Sequence, residues 1–249
     1  MDRVELRPPL LAQVVAEKAA DLNARFAQAN TQDLLRAAIT ELFPGRIALV
    51  SSFGADSAVL LQMIAEIDKK TPVLFIDTRL LFEETRAYRD LLAERLGLEN
   101  LVTLGPDPTA LANEDPENFL WASQPDRCCE IRKVLPLDAA LADFDAWISG
   151  RKRFQSATRR QLNLFEADPS PRIKINPLTH WTAPQIVDYL HDAGLPSHPL
   201  VAKNYPSIGC IPCTSPVKPG ENPRAGRWRG KAKLECGLHT PPSLVSVDF

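Results

Sequence analysis

Five cysteines are the residues of this 249-residue chain whose types and spacing point most directly to chemistry. They form an adjacent pair, Cys128 and Cys129, a C-x-x-C motif, Cys210 and Cys213, and a single residue, Cys236. An odd number of cysteines argues against a disulfide framework, and adjacent cysteines rarely satisfy the geometry of a mutual disulfide. Four thiolates in two short clusters are instead typical of an all-cysteine metal site.

The spacing of these four cysteines bears on which metal they would bind. Adjacent ligands crowd a single tetrahedral zinc ion, whereas a [4Fe–4S] cluster offers each thiolate its own iron. We therefore expect Cys128, Cys129, Cys210 and Cys213 to hold one [4Fe–4S] cluster per chain, with zinc as the alternative. A thioredoxin-like redox role for the C-x-x-C motif is less favoured, because it lies in a proline-rich stretch and not at a helix start beside a βαβ unit. Five buried structural thiols are the remaining interpretation.

A second motif, residues 51–57 with the sequence SSFGADS, lies between an apolar run and a helical pattern. Backbone NH groups at such a strand-to-helix turn point at a common site, where the helix dipole favours an anion. Ser51, Ser52 and Ser57 add hydroxyl donors, and Gly54 permits close approach of the backbone. The loop matches neither the Walker A nor the G-x-G-x-x-G pattern. The alternative is an ordinary serine-capped helix.

Two segments are rich in basic residues. Residues 151–160 contain five of them and no acid, and residues 218–233 contain six of them and one acid. Arginine matches phosphate and sulfate oxygens bidentately, so we expect these loops to converge on a small dianion. The net charge of -2 and the single aromatic residue of the second segment, Trp228, argue against nucleic acid as the ligand.

The elements that must position these residues follow from hydrophobic periodicity. It predicts helices over 10–28, 31–43, 58–67, 81–96, 129–141 and 183–193, and strands over 46–51, 73–76, 101–104, 146–149 and 173–175. This alternation indicates an α/β fold, with a mostly parallel sheet covered by helices on both faces. From residue 194 onward proline and glycine are too dense for regular elements. We therefore expect a nucleotide-binding α/β domain over 1–205, and a C-terminal arm over 206–249 that is not an independent domain.

Composition is that of a globular chain, with 45% hydrophobic and 24% charged residues. No apolar run is long enough for a membrane span, and residues 1–20 lack the apolar core of a signal peptide. These features predict a cytoplasmic protein without a membrane partner.

Several motifs together resemble a known family. The SSFGADS loop resembles the PP-loop of the adenine-nucleotide α-hydrolase-like superfamily. Within it, further segments resemble the iron–sulfur-bearing type of the assimilatory adenylyl-sulfate (APS) and phosphoadenylyl-sulfate (PAPS) reductases: residues 75–78, 81–85, 128–137, 149–156, 199–214 and the ECGLH motif at 235–239. Arg79 and Asn204 depart from the pattern, since the family usually has glycine at both positions.

This resemblance implies a reaction in which APS and reduced thioredoxin, or glutaredoxin, yield sulfite, AMP and the oxidised donor, as in assimilatory sulfate reduction and cysteine biosynthesis. Cys236 would be the catalytic nucleophile, forming a Cys-S-sulfonate intermediate. The substrate-binding residues that the resemblance implies are Ser51, Ser52, Phe53, Gly54, Ser57, Asp77, Thr78, Lys133, Gly150, Arg153, Arg159, Arg224, Arg227 and His239. Arg160 is the alternative to Arg159.

Other functions remain open. The enzyme could use PAPS, or both nucleotides. A PP-loop ATP pyrophosphatase would share the loop but would leave the ECGLH motif without a role. A zinc-stabilised nucleotide-binding module would make Cys236 incidental. A homo-oligomer is compatible with the sequence.

Overall fold

The computed structural model describes residues 8–239 and is built around one six-stranded sheet. The strands are β1 (Ile47–Ser51), β2 (Val73–Ile76), β3 (Leu101–Leu104), β4 (Ala146–Ser149), β5 (Phe165–Ala167) and β6 (Ile173–Ile175). Their order is β3-β2-β1-β4-β6-β5, and every neighbouring pair is parallel except β5 with β6. The predicted α/β class with a mostly parallel sheet is confirmed.

Helices cover both faces of this sheet. They are α1 (Pro8–Arg25), α2 (Thr31–Ala37), α3 (Ser57–Ile67), α4 (Glu83–Leu96), α5 (Pro108–Glu114), α6 (Leu120–Ser123), α7 (Pro125–Cys129), α8 (Leu135–Ala140) and α9 (Ala183–Asp192). Within residues 8–239, no helix has the length and apolar character that crossing a membrane requires.

Strand side chains alternate between two apolar cores, as a pleated strand requires. Leu49, Phe75 and Ile148 belong to the larger core on one face. Ala48, Leu74 and Trp147, each one position earlier in its strand, belong to a smaller core on the other face, with Leu137 of α8. This second face is the one on which the end of the C-terminal arm packs, through Leu238.

The segment that carries the adjacent cysteines differs from its prediction. The expected helix over 129–141 begins earlier, as α7, and passes through a π-helical turn, Glu130–Val134, before it continues as α8. Pro136 lacks the NH that an α-helix would donate four residues back, and this accounts for the change of pitch before α8. Cys128 and Cys129 therefore lie at the end of the α-helical turn α7, directly before the π-helical turn, and not at the start of the helix.

Three elements were not predicted from the sequence. Helices α5 and α6 lie between β3 and Cys128, where no element was predicted, and none of the residues of α5 is buried, so α5 lacks an apolar stripe. Strand β5 has only three residues and pairs at the edge of the sheet. The predicted strand at 173–175 is confirmed as β6.

The stretch from residue 194 to 239, which includes the described part of the arm, has short turns in place of long elements, as predicted. It is tied to the domain near the cysteines, where Ile211 donates its NH to the Leu80 carbonyl at 2.8 Å and Cys210 forms an isolated bridge with Leu81. The Trp228 NH donates to the Cys213 carbonyl at 3.1 Å. Residues 240–249 of the predicted arm lie outside the described residues.

Arg79 and Asn204, the two departures from the family pattern, share one backbone property. Their φ angles are 62° and 65°, in the left-handed region. Glycine adopts this conformation without steric cost and asparagine tolerates it, so the conformation explains the glycine usual at both positions. Arg79 adopts the same left-handed conformation although its side chain is larger than that of glycine or asparagine.

Candidate active site

The main cavity opens at the carboxyl ends of β1, β2 and β4, where ligands bind in open α/β sheets. Five parts of the chain line it. They are the loop between β1 and α3, the segment after β2, the π-helical turn that carries Lys133, the segment after β4, and the C-terminal arm. Twelve of the predicted substrate-binding and catalytic residues line the cavity, namely Ser51, Ser52, Gly54, Ser57, Thr78, Lys133, Gly150, Arg159, Arg224, Arg227, Cys236 and His239.

The loop between β1 and α3 has the shape expected of an anion-binding turn. The Phe53 NH donates to the Ser51 hydroxyl at 3.2 Å, and the Ser57 NH donates to the Gly54 carbonyl at 3.1 Å. Phe53 has a positive φ of 47°. Helix α3 begins at Ser57, so the positive end of its dipole faces the loop.

Six basic side chains line the cavity: Lys133, Arg151, Lys152, Arg159, Arg224 and Arg227. Two acidic side chains, Asp56 and Glu235, lie among them. Lys152 is buried and donates to Asp56 at 3.0 Å and to the Gly150 carbonyl at 3.1 Å. Burial lowers the pKa of Arg224 to about 10, although Glu235 opposes the shift. Such a concentration of positive charge in a partly buried cavity attracts a small, highly charged anion.

Three side chains at the end of the arm, residues 234–239, hold it in this cavity, and Arg224 also donates to the Leu234 carbonyl at 3.0 Å. The carboxylate of Glu235 accepts two hydrogen bonds from Arg159, at 2.9 and 2.8 Å. Leu238 packs into the smaller core. The His239 ring stacks on the Trp147 indole, with 5.7 Å between centroids and an interplanar angle of 11°. We call residues 234–239 the tail.

Cys236 lies between these three contacts and is half-buried. Burial alone would raise the pKa of its thiol, but Lys133 and the Leu238 backbone NH outweigh burial, with a further contribution from Arg227. The pKa therefore lies below its usual value, so the thiolate forms more readily. A thiolate of this kind, facing a cationic cavity, is suited to attack an anionic electrophile.

The other four cysteines gather beside the cavity. Burial raises the pKa of Cys128 to about 12 and raises those of Cys129 and Cys213, and neighbouring cysteines add to these shifts. The Thr78 hydroxyl lies 3.2 Å from the Cys210 sulfur. Within residues 8–239, no three His, Cys, Asp or Glu side chains are grouped closely enough to hold a single metal ion.

Lys133 connects the four cysteines to the tail. Burial would lower its pKa, but Cys210, Cys236 and Cys129 together hold the pKa above its usual value. The ammonium therefore remains charged between a predicted metal ligand and the predicted nucleophile.

Arg132, the neighbour of Lys133, is buried and fixes this region to β2. Its guanidinium donates to the Asp115 carboxylate at 2.6 Å, to the Asn118 side chain at 2.9 Å and to the Thr78 carbonyl at 2.8 Å. The cysteine-bearing helix and the loop after β2 are thereby held together.

Three predicted substrate-binding side chains lie outside the cavity. Phe53 is fully buried against Phe75, at 5.4 Å between ring centroids. Asp77 pairs with Arg86 at 2.9 Å. Arg153 donates to the Leu162 carbonyl at 2.9 Å. These three side chains do not line the cavity, although they belong to the loops that border it. Of the two alternatives Arg159 and Arg160, Arg159 is the one that lines it.

Other residues of the site were not predicted. Trp147 looked like a core residue of β4, because an apolar strand gives no sign of a stacking partner 92 positions later. Lys174 on β6 lies over the same indole at 4.8 Å, and burial lowers its pKa to about 7. Glu235 had a detectable signal in the ECGLH motif, where it is the acid next to the nucleophile.

The sheet order, the loop after β1 and the position of the cavity define the class of fold, which is that of the adenine-nucleotide α-hydrolase-like proteins. FMN adenylyltransferase from Candida glabrata shares this fold, with a TM-score of 0.53 and 18% identity over 83% of this chain and 73% of that one. A solved PAPS reductase from Candida auris is more similar, with a TM-score of 0.69 and 26% identity over 87% of this chain and 100% of that one.

Residues 46–216 match the family model described as phosphoadenosine phosphosulfate reductase domain. Two relatives named adenosine 5'-phosphosulfate reductase cover most of the chain. The one from Mesorhizobium japonicum is 52% identical over 94% of this chain and 91% of its own length. The one from Chelativorans sp. is 50% identical over 94% of each. The chain belongs to the phosphoadenosine phosphosulfate reductase family and is an enzyme of the oxidoreductase class.

Proposed function

We propose that this enzyme reduces APS to sulfite and AMP, with a thioredoxin-type dithiol as the electron donor, in cytoplasmic sulfate assimilation. The observation that carries the proposal is a thiol of lowered pKa, Cys236, facing a cavity lined by six basic side chains and an anion-binding loop. The two relatives named adenosine 5'-phosphosulfate reductase support APS as the nucleotide.

The phosphosulfate group of APS supplies the anion that this cavity suits. The loop over 51–57 would receive the nucleotide through its NH groups and hydroxyls. Lys133, Arg159, Arg224 and Arg227 would bind the phosphate and sulfate oxygens. Gly150 and Thr78 also line the cavity and would border the nucleotide.

The chemistry begins at Cys236. Its thiolate would attack the sulfur of APS, breaking the bond between sulfur and the bridging oxygen, so that AMP leaves and a Cys-S-sulfonate forms. One thiolate of the dithiol donor would then attack the Cys236 sulfur and expel sulfite. The second thiol of the donor would resolve the mixed disulfide, and the two electrons come from this dithiol.

We further propose that Cys128, Cys129, Cys210 and Cys213 hold a [4Fe–4S] cluster. The donor set supports it, because all four are thiols without oxygen or imidazole ligands, Cys210 raises the pKa of each of the other three, and each thiolate would meet its own iron. The cluster would supply a fixed link between α7 and the arm. Because four thiolate ligands outweigh the charge of the iron–sulfur core, the bound cluster would be anionic and would help to keep Lys133 charged for the sulfate.

A PAPS reductase is the second candidate. A relative from Gloeobacter violaceus named phosphoadenosine 5'-phosphosulfate reductase is 41% identical over 79% of this chain. Steady-state kinetics with both nucleotides would separate the two, since comparable kcat/KM values would contradict a preference for APS.

The direct test uses the wild-type protein and Cys236→Ser. We expect wild type, incubated with APS and no reductant, to release one AMP and to carry a sulfonate on the peptide that contains Cys236. Cys236→Ser should keep the brown iron–sulfur absorption and bind nucleotide, but form no adduct and no sulfite. A sulfonate on any other cysteine, or turnover by Cys236→Ser, would refute this mechanism. Release of pyrophosphate from ATP instead would support an ATP pyrophosphatase.

A further inference from the structure

Glu235 has an unusual place for an acid in an anion-binding cavity. Its carboxylate accepts from the Arg159 Nε at 2.9 Å and from the Arg159 Nη2 at 2.8 Å, a bidentate pair. It also accepts from the Arg224 Nη2 at 3.3 Å. The next residue is Cys236, so one side chain links the two arginines to the position of the nucleophile.

This carboxylate is an anion held where an anionic ligand is expected. Of the two acids among the cavity's lining residues, Asp56 is engaged with Lys152. Glu235 is the acid that contacts Arg159 and Arg224. A bidentate carboxylate on a guanidinium uses the same two donors that a phosphate or sulfate would use. An incoming dianion that binds Arg159 in this way must take those donors from Glu235.

We propose that Glu235 is an internal anion that occupies the phosphosulfate-binding arginines in the free enzyme and holds the tail closed, until substrate displaces it. The inference rests on the proposed function for the identity of the substrate. Displacement of the carboxylate frees one of the tail's three side-chain contacts, while Leu238 and His239 keep the other two. Substrate arrival is thereby coupled to movement of Cys236, and Glu235 acts as a positioning residue.

The charges around Glu235 favour this exchange. Burial would raise the pKa of its carboxyl, but Arg159 outweighs burial, with help from Arg224 and Arg151, so the pKa lies below its usual value. The carboxylate therefore stays ionised and competes with substrate at neutral pH. Without it, Arg159 and Arg224 would repel each other and would bind a substrate anion more tightly.

The first test measures the affinity for APS in a Cys236→Ser background, where no turnover occurs. Adding Glu235→Gln should tighten APS binding on the order of tenfold, which corresponds to about 1.4 kcal/mol. The gain should shrink at high salt, because it is electrostatic. Glu221→Gln is the matched control, since Glu221 pairs with Arg229 at 2.9 Å and does not line the cavity, and its APS affinity should equal that of the background. Unchanged or weaker APS binding by Glu235→Gln would overturn the proposal. It would mean that Glu235 stabilises the structure but does not compete with the substrate anion.

The second test needs no substrate. In the ligand-free protein with Cys236 intact, at a pH where this thiol is ionised in every variant, we expect iodoacetamide to alkylate it several-fold faster in Glu235→Gln than in wild type, because the tail opens more often. The pH is chosen in this way because Glu235 itself raises the pKa of Cys236. Glu221→Gln should match wild type, and matched melting temperatures would show that all three proteins are folded. Glu235→Ala serves in the same way if Glu235→Gln does not fold. Equal alkylation rates would refute the closed tail. If the background protein fails to bind APS at all, the proposed function is wrong, whereas the alkylation result still decides whether Glu235 holds the tail.

Discussion

The lowered pKa of Cys236 arises from a balance between burial and nearby cations. Burial disfavours the thiolate, whereas Lys133 and the Leu238 backbone NH favour it and prevail. The other cysteines lack this balance, and burial prevails at Cys128, Cys129 and Cys213. The same residue type therefore ionises more readily at Cys236 and less readily at Cys128, Cys129 and Cys213.

His239 is expected to keep this nucleophile in place, because its ring stacks on Trp147. A stacked pair of this kind contributes about 0.5–1.5 kcal/mol. His239→Ala should therefore slow formation of the Cys236 sulfonate by about two- to tenfold, measured in a single turnover with saturating APS. His191→Ala removes an exposed histidine of α9 and should leave the rate unchanged. An undiminished rate in His239→Ala would show that Leu238 and Glu235 suffice to position the tail.

Site residues whose contacts are local in the sequence could be predicted, and those with distant partners could not. Residues 51–57 form a contiguous turn, and its predicted anion-binding character follows from its residue types. Trp147 and Glu235 were missed because their partners lie 92 and 76 positions away along the chain. In the sequence, Trp147 cannot be distinguished from an ordinary core residue of a buried strand, because its stacking partner His239 is identified only in the structure.

At the scale of elements, hydrophobic periodicity predicted the longer strands and helices. The elements that it did not predict have a weak hydrophobic pattern. β1, β2, β3 and β4 lie where the apolar runs predicted them. Helix α5 has no buried residue, and β5 is too short to show alternation. The π-helical turn before α8 depends on Pro136 and on the packing around Arg132, so it could not be predicted from hydrophobic spacing.

The contact between Arg132 and Asp115 joins two of these elements and should be essential to their arrangement. Both side chains are almost completely buried, so removing one charge leaves the other without compensation. Asp115→Asn should lower the free energy of unfolding by about 3–5 kcal/mol, measured by urea denaturation. Arg46→Gln breaks an exposed pair with Asp145 and should change it by less than about 1 kcal/mol. A similar small effect of both substitutions would mean that water compensates Arg132 in solution.

At the scale of the whole molecule, distant segments meet because parallel strands end at one edge of the sheet. Ser51 ends β1, Ser149 ends β4, and the arm returns over both from residue 206 onward. The sequence predicted these segments separately, and the family resemblance grouped them. The distances between these segments depend on the sheet order β3-β2-β1-β4-β6-β5. Hydrophobic periodicity alone does not specify this order.

The segment that leads from α9 to the arm is anchored on α4 by His198, and this contact predicts a pH dependence of stability. The Leu200 NH donates to His198 Nδ1 at 3.1 Å, so this nitrogen is unprotonated, and Nε2 lies 3.0 Å from the Thr85 hydroxyl. The ring also packs edge-on against Tyr88, at 4.9 Å between centroids. Burial lowers the pKa of His198 to about 4, although Glu84 opposes the shift. The folded protein therefore holds this histidine neutral.

Because the folded pKa of His198 lies below its unfolded value, the unfolded chain binds more protons between about pH 6.5 and pH 4. The stability that neutral His198 provides is present above about pH 6.5 and is lost as the pH falls through this window. We expect His198→Gln to be less stable than wild type at pH 7, but to lose about 1–2 kcal/mol less between pH 7 and pH 5, measured by urea denaturation at both pH values. His191→Gln, which alters an exposed ring, should keep the wild-type pH dependence. Parallel stability curves for wild type and His198→Gln would show that the ring is protonated in the folded protein and that the Leu200 NH bonds elsewhere.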